Sequence, residues 1–126
     1  MPYVRDVMEK EIIVAKERDN IRHLSKVLTS KNISNIPITD SRGALIGVVS
    51  EQDIIRAMES KQFLKITAGD IMTKSVMSVK ENDSLEYVSK IFVEHPFRRL
   101  PVTRGKKVVG SVTRDDIINT FMSDYY

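Results

Sequence analysis

Cysteine and tryptophan are absent from this chain, and only two histidines occur, His23 and His95. Without cysteine there is no disulfide framework, no thiolate zinc site and no cysteine nucleophile. Neither histidine has another three or four residues away, so no metal-ligand set is recognisable. Both read instead as surface or half-buried helix residues. Aromatics make up 6% of the chain, which leaves little stacking surface for single-stranded nucleic acid. No apolar run approaches the roughly 18 residues that span a bilayer. The opening Met1-Pro2-Tyr3-Val4-Arg5-Asp6 lacks the apolar core of a signal peptide. The expected location is therefore cytoplasmic, with no membrane partner. There is also no nucleophile–base pair and no phosphate-cradling glycine loop, so no enzyme chemistry is expected.

What is present suits one compact soluble domain. The 126 residues are 41% hydrophobic and 29% charged, within the ordinary globular range. A chain of this size buries about two-thirds of its unfolded surface. The net charge of +3 is mildly basic, short of a dedicated nucleic-acid binder.

The chain is organised as a tandem repeat. Asp6-Val7-Met8-Glu9-Lys10 returns as Asp70-Ile71-Met72-Thr73-Lys74, and Ile36-Pro37-Ile38-Thr39 as Leu100-Pro101-Val102-Thr103. The stretch from Gly47 to Ile55 returns from Gly110 to Ile118. Two units are expected: residues 1–60, and residues 61–126 comprising a linker and the second repeat. The linker residues Phe63, Leu64 and Ile66 point to packing and not to a free tether.

Each unit reads β-α-β-β-α, an α+β (α/β) arrangement, after one opening turn of helix. The short apolar stretches Ile12–Ala15 and Val76–Val79 read as strands. A helix follows in each, capped at Asp19-Asn20 and Asp83-Ser84. Its apolar stripe is Ile21, Leu24, Val27 and Leu28 in one copy, and Leu85, Val88, Ile91 and Phe92 in the other. Asn32 can close the first helix in the left-handed conformation, and Pro96 stops the second. Pro37 and Pro101 argue for edge positions or strand starts. Glycine turns at Gly43 and Gly105 lead into return strands. The last helices start at Glu51 and Arg114 and are expected to bury Ile54, Ile55 and Met58, and Ile117, Ile118 and Phe121. About 60 residues bury too little alone, so the two repeats are expected to pack together with pseudo-twofold symmetry.

The motif Gly-x-x-Ser/Thr-x-x-Asp, at Gly47 to Asp53 and Gly110 to Asp116, has two readings. Ser/Thr-x-x-Asp before an apolar run is a helix capping box. The box prefers Glu or Gln at its last position, and both copies carry aspartate, so a ligand role stays open. The two roles can coexist.

In order and in duplicate, these features resemble the CBS (cystathionine β-synthase) domain, and the tandem resembles a stand-alone CBS pair or Bateman module. The resemblance covers nearly the whole chain. It implies a regulatory module that binds an adenosine-containing ligand, such as AMP, ADP, ATP or S-adenosylmethionine, in clefts between the repeats, and that modulates a partner protein. It also implies association into a homodimer, a flat disc of four repeats, with no cofactor required beyond the regulatory nucleotide. The family's ribose contact maps to Asp53 and Asp116. Ser50 and Thr113 would reach phosphate or ribose, and the helix N-terminus would add N–H groups. One cleft, served by Ser50 and Asp53, would be walled by Met72, Val76, Met77 and the Phe97-Arg98 backbone. The other, served by Thr113 and Asp116, would be walled by Met8, Ile12, Ile13 and Ile33-Ser34.

The clefts are not expected to be equal. Arg98, Arg99, Arg104, Lys106, Lys107 and Arg114 crowd the second repeat without an intervening carboxylate. The first repeat has Ser34-Asn35 where the second has Arg98-Arg99. An arginine fork can grip phosphate oxygens in pairs, so the stronger phosphate site is expected beside Arg98 and Arg99. The alternatives are a nucleic-acid-binding protein using the basic 98–114 region, where Phe97 is the nearby aromatic, and a purely structural dimerisation module.

Overall fold

The computed structural model describes residues Pro2 to Tyr126. The chain forms two compact units. One is continuous, Ile13–Val76; the other is composite, joining the residues up to Ile12 with Met77–Tyr126.

In the continuous unit the elements are β1 (Ala15–Lys16), α2 (Ile21–Lys31), β2 (Asn35–Thr39), β3 (Leu45–Ser50), α3 (Glu51–Ala57) and α4 (Ala68–Ile71). In the composite unit they are α1 (Val4–Val7), β4 (Val79–Lys80), α5 (Leu85–Glu94), β5 (Arg99–Arg104), β6 (Lys107–Thr113) and α6 (Arg114–Met122). This is a mixed α+β fold with two three-stranded sheets, ordered β1-β2-β3 and β4-β5-β6. In each sheet the first pair is parallel and the second antiparallel.

The helix boundaries follow local chemistry. The Asn20 side chain accepts from the His23 N–H at 3.1 Å, and Ser84 accepts from Tyr87 in the same way at 3.1 Å. Each satisfies a donor the first helical turn leaves free. Asn32 closes α2 at φ 53°, in the left-handed region asparagine tolerates. Pro96 follows directly after His95, the last cap of α5. Gly43 and Gly105 take φ of 84° and 61° in the hairpin turns.

Three expectations need correction. Ile12–Val14 and Val76–Ser78 are not strand: only Ala15 and Lys16 find partners in β2, and only Val79 and Lys80 in β5. Pro37 and Pro101 sit in the middle strands, not at an edge. Pro37 is opposite Val48, whose main chain bonds outward to Thr73. The nitrogen of Pro37 therefore faces the β1 side, where β1 reaches only Ile38 and Thr39. No ladder bond is lost, which is why proline is tolerated there. Finally, α3 and α6 bury a single narrow stripe. Ile54 and Ala57 are buried, as is Ile117, while Ile55 is 65% exposed and Ile118 53%. Met58 and Phe121 are exposed too. Successive residues on a helix point about 100° apart, so adjacent isoleucines cannot both face one core.

Each unit has its own core. Ile21, Leu24, Ile36, Ile38, Val49 and Ala68 are among the buried residues of the continuous unit. Val4, Leu85, Val88, Leu100, Val102 and Val112 are among those of the composite unit. Phe63 and Ile66 of the linker pack against the first of these cores, while Leu64 is exposed. The opening helices are docked by main-chain bonds. Val4 and Arg5 N–H donate to Asp83 and Glu81 at 2.9 Å each, and Ala68 and Gly69 N–H donate to Asp19 and Glu17 at 2.8 Å each. The helix that opens each sequence repeat thus packs in the unit built around the other repeat's sheet.

Candidate functional site

Both copies of the repeated motif form the same corner, where a return strand turns into a helix. In the continuous unit the Ser50 Oγ accepts from the Asp53 N–H at 3.1 Å, and Asp53 Oδ2 accepts from the Ser50 N–H at 2.8 Å. In the composite unit Thr113 and Asp116 do the same at 3.1 and 2.9 Å. The capping box is real in both corners. It uses one oxygen of each carboxylate. The other oxygen of Asp53 lies 3.3 Å from Arg56 Nη1, with the aspartate side chain 16% exposed.

The flanking strands complete each corner. Glu51 N–H donates to Ser34 O at 3.0 Å, and Arg114 N–H to Arg98 O at 3.1 Å. Behind the continuous unit's corner, Val48 and Thr73 exchange two main-chain bonds of 2.9 Å. Behind the composite unit's corner, Glu9 and Ser111 exchange bonds of 2.8 and 3.0 Å. Met72 lies against Gly47, and the Met8 sulfur faces Gly110. Ile33 and Met72 pack on the core of the continuous unit, and Met8 and Phe97 on that of the composite unit. Ile12 and Ile13, and Val76 and Met77, lie in irregular segments; Ile12 and Met77 are exposed, Ile13 and Val76 half-buried. Asp53 also lines a cavity of about 320 Å³ with Arg56, Ala57, Ser60, Ile66 and Ile71.

The corners differ in charge. The Arg99 Nη1 donates to Ser111 Oγ at 2.7 Å and lies 3.6 Å from Glu9 Oε2. Burial pushes the Glu9 carboxyl above its ordinary value; Arg99 pulls the other way, and Asp116 and Glu11 reinforce the rise. Arg114 donates to the carbonyls of Phe97 and His95. Arg104 forms a two-point bridge with Glu81, at 2.6 and 3.0 Å. Among the described residues, the exposed Arg98 guanidinium makes no hydrogen bond or ion pair. In the continuous unit the residues matching Glu9, Arg99 and Ser111 are Thr73, Asn35 and Val48, none of them charged. Sequence reasoning passed over Glu9, Ser111 and Arg56. The available signal was the repeat itself, in which Glu9 replaces threonine and Ser111 replaces valine.

Residues 4–60 and 68–123 each match the family described as CBS domain. The chain belongs to the CBS domain family. As a CBS pair it is 32% identical over 122 residues to the uncharacterized protein MJ1225 of Methanocaldococcus jannaschii, covering 97% of this chain but 44% of that one. It is 31% identical to the uncharacterized protein YlbB of Bacillus subtilis, covering 93% of this chain and 80% of that one. It also matches an L-aspartate semialdehyde sulfurtransferase of M. jannaschii at 31% identity, spanning 23% of that protein's length. Two solved CBS structures share the fold. CBSX2 in complex with AMP gives a TM-score of 0.86 at 25% identity, with all of both chains covered. The CBS domain pair of MJ0100, in complex with 5'-methylthioadenosine and S-adenosyl-L-methionine, gives 0.80 at 30% identity, with 98% of each covered.

Proposed function

We propose that this CBS pair is a ligand-sensing module. It binds an adenosine-containing ligand at the Ser50–Asp53 and Thr113–Asp116 corners and passes the binding event to a partner protein. The observation that carries this reading is the duplicated corner, in which a hydroxyl and a carboxylate share one turn. CBS pairs similar to this chain in fold include one in complex with AMP and one in complex with 5'-methylthioadenosine and S-adenosyl-L-methionine.

The box leaves each aspartate one oxygen and spare lone pairs, enough to accept from a ribose diol. Met72 and Met8, with Ile33 and Phe97 nearby in their respective units, offer apolar surface to a purine. Arg98 offers an unpaired guanidinium to a phosphate. Binding rather than bond-making is the work assigned to these groups. Regulation would follow from any difference in ligand affinity between two conformations. Association with a second copy belongs to the same reading: Ile55 and Met58 on α3, and Ile118, Phe121 and Met122 on α6, are exposed apolar side chains. Sedimentation of Ile118→Glu checks it, since a species of unchanged mass would remove α6 from any dimer contact.

A thermal-shift screen across AMP, ADP, ATP, NAD and S-adenosylmethionine tests the main proposal. A ligand at 100 times its Kd adds about 2.7 kcal/mol. Asp53→Asn and Asp116→Asn keep a cap acceptor but weaken the diol contact. They should melt like the parent and lose ligand stabilisation, one corner at a time. Unchanged melting with every ligand would refute it.

A further inference from the structure

We propose that Glu9 sets the charge preference of the Thr113–Asp116 corner, turning it away from phosphorylated nucleosides and toward uncharged or cationic ones. This rests on the reading of that corner as a nucleoside site.

Three residues that differ between the repeats meet in space. Glu9, Arg99 and Ser111 replace Thr73, Asn35 and Val48. They form one connected group. Arg99 donates to Ser111 at 2.7 Å and faces Glu9 at 3.6 Å, and Glu9 and Ser111 are locked together by paired main-chain bonds. The lock is tight: a side-chain carbon on Gly110 would stand 2.3 Å from the Glu9 carbonyl oxygen. The Glu9 backbone is thereby fixed beside the corner, and its carboxyl interacts with that of Asp116.

The charge consequence runs against the count of arginines. An incoming phosphate meets an Arg99 whose Nη1 already serves the Ser111 hydroxyl and whose charge is offset by the Glu9 carboxylate. It must also approach two carboxylates, Glu9 and Asp116. Arg104 and Arg114 are tied to Glu81 and to the His95 and Phe97 carbonyls, which leaves Arg98 as the corner's unpaired cation. A nucleoside without phosphate, or one bearing a positive centre, meets none of this opposition, and a cation gains from Glu9. The Ser50–Asp53 corner has Thr73 in place of Glu9 and carries Arg56 on its aspartate, so it lacks the opposing carboxylate.

The test uses titration calorimetry with AMP and adenosine against the full chain carrying Asp53→Asn, which silences the other corner, alone and combined with Glu9→Thr or Glu9→Gln. Removing Glu9 should tighten AMP about tenfold, the scale of one charge-assisted hydrogen bond, and move adenosine less than about twofold. Glu9→Gln keeps the side-chain size should Glu9→Thr fold poorly. If both ligands bind and their ratio is the same with and without Glu9, the inference is overturned while the nucleoside corner stands. If neither ligand binds any of the three proteins, the nucleoside reading of this corner falls, and the role of Glu9 falls with it.

Discussion

The two corners of this CBS pair share a backbone and diverge in what stands behind it. Each has the hydroxyl cap, the reciprocal aspartate bond, the link to the preceding strand, and a methionine facing a strand glycine. Behind the continuous unit's corner lies an uncharged set, Thr73, Asn35 and Val48. Behind the composite unit's corner lies a charged one, Glu9, Arg99 and Ser111. The capping box accounts for what is common, because it answers a need every helix start has. It says nothing about what each corner receives. In the proposed reading, that is decided by side chains from strands and segments far away in sequence. A motif shared by two repeats is thus evidence of shared scaffolding first, and of shared ligand only after its neighbours are read.

The glycines give the largest test of the comparison. Gly110→Ala would place its new carbon 2.3 Å from the Glu9 carbonyl oxygen. Because backbone there cannot give way, the Glu9–Ser111 bridge must break, at about 3 kcal/mol. Gly47→Ala would meet the Met72 sulfur at 2.5 Å and its Cγ at 2.9 Å. Methionine can re-rotate, so about 1 kcal/mol is expected. Urea denaturation of both variants measures the contrast; equal losses would mean the composite corner is no more tightly locked than its counterpart.

A smaller effect lies in pH. Glu9 is raised first by burial, so it holds its proton more tightly folded than unfolded. Its contribution is complete below the ordinary value of 4.5 and is lost as pH rises through the raised one. The shifted carboxyls of the continuous unit move the other way. Asp40 is lowered by the Ala44 and Arg42 N–H groups, and Asp70 first by the Thr67 N–H. Their contributions are present above 3.8 and lost as pH falls through the lowered values. Glu9→Gln should therefore flatten the decline of stability above pH 4.5 and leave the acid limb alone. Stability curves that superimpose across the whole range would remove Glu9 from the account.

Local features were legible in the sequence because their causes are local. Asn20 and Ser84 begin helices, Asn32 ends one, and Gly43 and Gly105 turn hairpins, each through its own conformational preference. The tandem repeat and the CBS family were legible because order and duplication survive without coordinates. What escaped depends on strand length and on distance. Proline reads as an edge residue until the neighbouring strand proves two residues long. Two adjacent isoleucines read as core until the helix is seen to bury one stripe. The six cations between Arg98 and Arg114 read as an open basic run because Glu81 and Glu9, which engage Arg104 and Arg99, lie far back along the chain.

The exchange of opening helices has a consequence for how the chain is made. Every residue of the continuous unit lies within 13–76. The composite unit joins residues up to Ile12 to a stretch that begins at Met77. During synthesis from the amino end, Val4 and Arg5 must wait for Asp83 and Glu81 before their main-chain bonds can form. The cost of closing so long a loop grows only slowly with its length, but the order of events is set: every residue of the continuous unit has been made while α1 is still unpartnered. The corner bearing Glu9 is then the last to be assembled, and a nascent chain stalled between the two units would carry one finished corner and one half of another.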